Sequence, residues 1–129
     1  MAESDYYPEW IDQLDENVVL QAAVLNADIT GRDQVRKILQ YARTLYEFQD
    51  FRFAGRYDDG WIEEYRSKVR GVTTHNIAII HYNDQGRVDQ LVMNHRPLSA
   101  MLRFSQLVGE HFGDEFGPDM FYRPSGQGV

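Results

Sequence analysis

The segment from Thr74 to Gly113 constrains the fold of this chain more than any other. It reads THNIAIIHY, then NDQG, then RVDQLVMNHR, then a helical pattern opened by Pro97. Two alternating runs around a short polar turn form a β-hairpin, with Gly86 at a position that favours positive φ. With Tyr82 opposite Arg87, the cross-strand pairs are Ile80 with Asp89, Ala78 with Leu91, Asn76 with Met93, and Thr74 with His95. Side chains alternate along a strand, so all of these share one face. The other face carries His75, Ile77, Ile79, His81, Val88 and Val92. Apolar residues on both faces mean that one covers a core and the other meets a partner or a second subunit. In the helix, Leu98, Met101, Leu102, Val108 and Phe112 mark the buried side, and Gly113 ends it.

Upstream, Pro8 to Leu14 reads as a short helix and Val18 to Leu25 as a strand. Gly31 to Phe48 is a helix, with Thr30 and Asp33 spaced as a capping box. Its apolar stripe is Val35, Ile38, Leu39, Ala42, Leu45 and Tyr46. Phe51 to Tyr57 and Trp61 to Arg70 form a hairpin about Asp58-Asp59-Gly60. In the second strand Trp61, Glu63, Tyr65, Ser67 and Val69 are the more buriable set and face the core. From Asp114 the chain is rich in Gly and Pro, which predicts disorder, although Phe116, Phe121 and Tyr122 offer apolar anchors. The expected organisation is one domain over 1–113 and a tail over 114–129.

A chain of 129 residues with 43% apolar content buries a single core. It has no cysteine, which excludes disulfides and thiolate chemistry. A net charge of -7 disfavours nucleic acid and anionic lipid, with Arg66, Lys68 and Arg70 reading as a solvated strand face. The N-terminus lacks the pattern of a leader peptide, and no apolar run is long enough to span a bilayer, so the expected location is the cytoplasm. His75 and His81 share a face but lie about 20 Å apart, too far to ligate one metal. No zinc, phosphate-loop or nucleophile-elbow motif occurs, and neither metal nor cofactor is expected.

The strand leading into TGRDQVRKIL, the stretch IAIIHYNDQGRVDQLVMNHRPL and the helix SAMLRFSQLVGEHF carry a resemblance. Over about residues 8 to 113 the chain resembles the nuclear transport factor 2-like superfamily, in its SnoaL-like polyketide cyclase and ketosteroid isomerase branch. The resemblance implies an α+β fold, a strongly curved antiparallel sheet wrapped around helices as a cone with a deep apolar pocket. It also implies a homodimer through the outer sheet face. Isomerases of this kind place a base on the early strand, near Ala22 and Ala23 here, and an acidic donor at the position matching Ala78. Neither position has a carboxyl group, and the tyrosine-bearing first helix has no room before Pro8.

The expected pocket wall therefore supplies its own chemistry. Trp61, Glu63, Ala78, Ile80, Asp89, Leu91 and Met93 are the expected ligand contacts, an apolar lining with a few polar groups. His95 is the candidate base, because an imidazole titrates near neutrality. Asn76, a diagonal neighbour, and Tyr65 are candidates to hold a substrate oxygen. Glu63 and Asp89 are carboxylates that burial would turn into bases, against the plain reading that both are solvated. Asp89 and His95 stand about 20 Å apart on one strand and form no dyad. Two functions remain open. One is cofactor-independent acid–base catalysis (isomerisation, cyclisation, dehydration or epoxide opening) on a hydrophobic, carbonyl-bearing small molecule. The other is a non-catalytic ligand-binding or dimerisation module.

Overall fold

A computed structural model describes residues 7–124. The first six residues, part of the segment read for a leader, and tail residues 125–129 lie outside the described residues. After Pro8 a 3₁₀ turn, Glu9–Gln13, buries Trp10 and Ile11. The strands are β1 (Leu14–Ala22), β2 (Ile29–Thr30), β3 (Asp50–Tyr57), β4 (Gly60–Val69), β5 (Val72–Tyr82) and β6 (Val88–Arg96). The helices are α1 (Arg32–Leu45) and α2 (Leu98–Phe112). β1 starts four residues before its expected Val18 and ends at Ala22, where Leu25 N turns back to Ala22 O at 3.0 Å. The capping box does not form: Thr30 belongs to β2, and Gly31, at φ 109°, caps α1 with no side-chain hydrogen bond.

Six strands form one sheet in the order β2-β1-β6-β5-β4-β3. The fold is α+β, and the sheet curls into a cone. It is mixed rather than wholly antiparallel, because β1 runs parallel to β6. Register shifts in the β1–β6, β3–β4 and β5–β6 pairs add the local bend that closure requires. α1 and α2 pack on the concave side.

The last hairpin differs in register from the expected one. Ala78 faces Met93, Ile80 faces Leu91, and Asn76 faces His95 directly. The displacement is two residues, an even number, so the faces of most residues are kept. It arises where Tyr82 pairs with Val88 while His81 pairs with Gln90, leaving Asp89 as the extra residue of a bulge. Two placements change as a result. Val88, expected outside, is fully buried. Asp89, expected on the pocket wall, meets His81 Nδ1 at 2.6 Å on the outer side.

The tail docks instead of hanging free. Phe121 is buried, and Tyr122 N donates to Ser105 Oγ at 2.9 Å, whose hydroxyl in turn donates to Val24 O at 2.6 Å. Asn26 N donates to Met120 O at 2.9 Å, and Lys37 pairs with Glu115. The tail reaches α2 at Ser105 and Gly109, and α2 buries Ala100 and Ser105 along with Phe104, Leu107 and Val108, while Leu98, expected inside, is 68% exposed. Small residues carry little apolar signal, so the buried arc is wider than the pattern shows.

Gly109 is the contact point: a Cβ there would lie 2.7 Å from Phe121 Cβ. Helix propensity alone favours Gly109→Ala by about 1 kcal/mol. The clash reverses that sign, so Gly109→Ala should lower the urea midpoint. It should lower it much less in a Phe121→Gly background, which removes the Cβ that the new methyl group would meet.

Candidate active site

The concave face holds a narrow cavity of about 40 Å³. Four parts of the chain contribute its polar groups. The 3₁₀ turn supplies Trp10, α1 supplies Arg43, the connection after it supplies Tyr46 and Gln49, and β4 supplies Glu63 and Tyr65. Ala78 and Met93, opposite each other on β5 and β6, form the apolar floor.

Glu63 is the centre of this arrangement. It lies at the expected inward position of β4, only 2% exposed, so the solvated reading does not hold. Its Oε2 accepts from Trp61 Nε1 at 3.1 Å and from Trp10 Nε1 at 3.3 Å. Burying a carboxylate costs several kcal/mol unless hydrogen bonds replace its water, and the two indole N–H groups do this. Two residues further on, Tyr65 lines the same cavity, its hydroxyl hydrogen-bonded among Tyr46, Gln49 and Asn76. Burial pushes that hydroxyl up to about 12, so it stays protonated at neutral pH and serves as a donor.

His95 is placed differently from a wall residue. It does not line the cavity; its Nε2 lies 2.8 Å from Tyr46 Oη, and Tyr46 does line it. The imidazole stacks on Phe104 with ring centroids 4.3 Å apart. Burial lowers its pKa from 6.5 to about 4, so the ring is neutral at pH 7. Asn76, facing His95 across the sheet, is buried and accepts from Thr74 Oγ1 at 2.5 Å. Of the other expected contacts, Ile80 and Leu91 are fully buried core residues, and Trp61 acts through Glu63. Asp89 faces away, as described above.

Sequence reasoning missed Trp10, Arg43, Tyr46 and Gln49 as site residues. Trp10 and Tyr46 appeared only as members of apolar helical faces, and nothing in a 3.6-residue period separates a core aromatic from one whose polar edge reaches a cavity. Among the described residues no group of three or more His, Asp or Glu is placed to hold a metal ion. Among them, too, no helix is long and apolar enough to cross a membrane.

The fold is shared with solved structures. A bacterial protein of cystatin-like fold from Silicibacter pomeroyi is similar over 82% of this chain and 76% of its own, at 19% identity and a TM-score of 0.75. A steroid delta-isomerase from Pseudomonas aeruginosa is similar over 82% of this chain and 79% of its own, at 18% identity and a TM-score of 0.74. A SnoaL-like family protein from Agrobacterium tumefaciens is similar over 67% and 76%, at 14% identity and a TM-score of 0.52. Proteins named for nuclear transport factor 2 likeness also match. The chain therefore has the nuclear transport factor 2-like fold. No family model matches the sequence, and no curated protein does.

The neutral, half-buried His95 carries a pH signature. The unfolded chain takes up a proton at this site near pH 6.5, while the folded protein does so only near pH 4. Stability from this group is therefore complete above pH 6.5 and is lost as the pH falls toward 4, by about 3 kcal/mol. His95→Gln should abolish that component. The gap between its unfolding free energies at pH 7.5 and pH 4 should shrink accordingly against the wild type in urea titrations.

Proposed function

We propose that this chain is a small-molecule pocket protein that performs cofactor-independent acid–base chemistry on a carbonyl compound. The observation that carries the reading is Glu63, a carboxylate held inside an apolar cone by two indole N–H groups, with Tyr65 lining the same cavity. The steroid isomerase of like fold supports the reaction class. Glu63 would take a proton from the carbon next to the carbonyl. The C–H electrons become the enolate double bond, and charge moves to the oxygen, where Tyr65 donates a hydrogen bond. The same carboxyl group then returns the proton to carbon. The base thus comes from β4 and not from the early strand, where Ala22 stands.

The cavity limits the substrate. At about 40 Å³ it is far below the roughly 300–1,000 Å³ of clefts that take drug-sized ligands. A compound of a few carbons is the better match, and a steroid nucleus requires the wall to open. The same narrowness favours a second reading, a ligand-binding module without catalysis. Hydrogen–deuterium exchange at the α-carbons of cyclopentanone in D₂O, followed by proton NMR, separates the two. Acid–base catalysis predicts exchange accelerated by the wild type and reduced about 10²- to 10⁴-fold in Glu63→Gln. Binding without exchange would establish the non-catalytic module.

We also propose that the outer sheet face joins two copies. Ile77 is 37% exposed and Phe53 50% exposed there, beside the part-buried Ile62, Ile79 and Val92. Ile77→Lys should shift the sedimentation coefficient from dimer to monomer at micromolar concentration; a wild type that is monomeric throughout would refute the pairing.

A further inference from the structure

We propose that the cavity takes a short oxo acid in its anionic form, with the ligand's carboxylate held by Arg43 at the mouth and its oxo end directed toward Glu63. The inference deepens the carbonyl reading of the cavity by naming the substrate class. It rests on that reading for the oxo group and stands apart from it for the carboxylate.

One wall of the cavity carries a fixed positive charge. Arg43, in the last turn of α1, lines it together with Leu39 and Ala42 of the same helix. Its guanidinium lies over the Tyr7 ring, 4.8 Å from the centroid, and Tyr7 is 42% exposed, so this is the wet end of the cavity. Glu63, buried and bonded to Trp10 and Trp61, marks the dry end. A cation in a last turn offsets the helix dipole, but a side chain in open solvent does that equally well. Arg43 is half-buried and turned to the cavity. Nor is its charge isolated. The chain carries -7 overall, yet α1 holds Arg32, Arg36, Lys37 and Arg43 against Asp33 as its one acid. Arg36 lies two turns before Arg43 on the same helix face. The hydrogen bond to Asp12 raises the Tyr7 pKa, and the charges of Arg43 and Arg36 act against that rise, so both reach the mouth. A basic approach on an acidic protein draws anions to that point.

Desolvation decides between a neutral ligand and an anion. Any molecule that fills a cavity of about 40 Å³ strips water from the guanidinium on its wall. A neutral ketone returns little for that loss. A carboxylate returns charge-assisted hydrogen bonds in the planar fork that a guanidinium presents. A guanidinium has five N–H donors, so Arg43 can take a ligand oxygen in addition to the contacts it already makes. The ligand's carbon chain then lies against Leu39, Ala42, Ala78 and Met93. This orientation also keeps two like charges apart. The carboxylate stays at the wet end, and the oxo group with its acidic C–H bonds reaches Glu63. A dicarboxylate is disfavoured, because its second charge would face the Glu63 carboxylate.

The test compares 2-oxobutyrate with its neutral isostere 2,3-pentanedione. The chain has two tryptophans, Trp10 and Trp61, and both bond Glu63, so their indole N–H signals in NMR titrations report occupancy of the cavity. The wild type should bind 2-oxobutyrate about 10- to 100-fold more tightly than the dione. Arg43→Gln should remove that preference by weakening 2-oxobutyrate, and titration with the dione checks that the variant's cavity is intact. Arg43→Lys, which keeps the charge and loses the fork, should recover part of the preference. Proton exchange at C3 of 2-oxobutyrate in D₂O, read on the same samples, tests the Glu63 chemistry separately. A wild type with no preference for the anion, or a preference that survives Arg43→Gln, would overturn the inference and leave the carbonyl reading standing. A preference that depends on Arg43, with no exchange at C3, would support the anion site and overturn the acid–base reading. Binding of neither compound would overturn both.

Discussion

A carboxylate buried in an apolar cone is the constraint on which this structure turns. Glu63 is removed from water, and an ionised side chain in that position must be hydrogen-bonded or it destabilises the fold. Its partners come from two places, Trp61 on its own strand and Trp10 from a turn 53 positions away in sequence. The second contact ties the N-terminal 3₁₀ turn across the mouth of the sheet, and Trp10 and Ile11 then complete the core there. The same contact narrows the cavity, because the indole that satisfies the carboxylate also occupies the space. Polar satisfaction and pocket size are therefore not independent in this protein.

Around that centre the cone is lined by rigid groups. Tyr46 and Tyr65 meet edge to face, Tyr46 and Phe104 stack, and His95 lies against Phe104. Aromatic side chains have few rotamers, so their polar edges are aimed by packing at small entropic cost. Burial acts on each titratable member in the direction that keeps it neutral: the tyrosines hold their protons and the histidine loses its own. A site built this way presents hydrogen-bond donors in a dry setting, where they act most strongly on developing negative charge. The sheet's bulges serve the same end. By leaving Asp89 out of the ladder, the β5–β6 pair turns that carboxylate to the outer face and places Asn76 opposite His95.

Much of the fold was legible because period-two alternation and helix punctuation are local signals. The inward set of β4, the hairpin of β5 and β6, and the helix after Pro97 all follow from side-chain chemistry within ten or so residues. The features that were not legible are long-range. The parallel pairing of β1 with β6, the docking of Phe121 against Gly109 and the bulge at Asp89 depend on elements far apart in the chain or on a one-residue slip that pattern does not encode. Glu63 is the instructive case. Its face was readable, but its burial was not, because a carboxylate next to a turn reads as solvated until Trp10 covers it.

The sequence by itself determined the α+β class, the facing of most strand residues, the absence of thiol chemistry and the residue types available to the site. Those depend on covalent identity and on interactions between near neighbours. Only the tertiary structure decided which polar groups lose their water, and hence which can do chemistry. Desolvation is set by everything that packs against a group, and for Glu63, Tyr46 and His95 those neighbours come from separate elements of the chain.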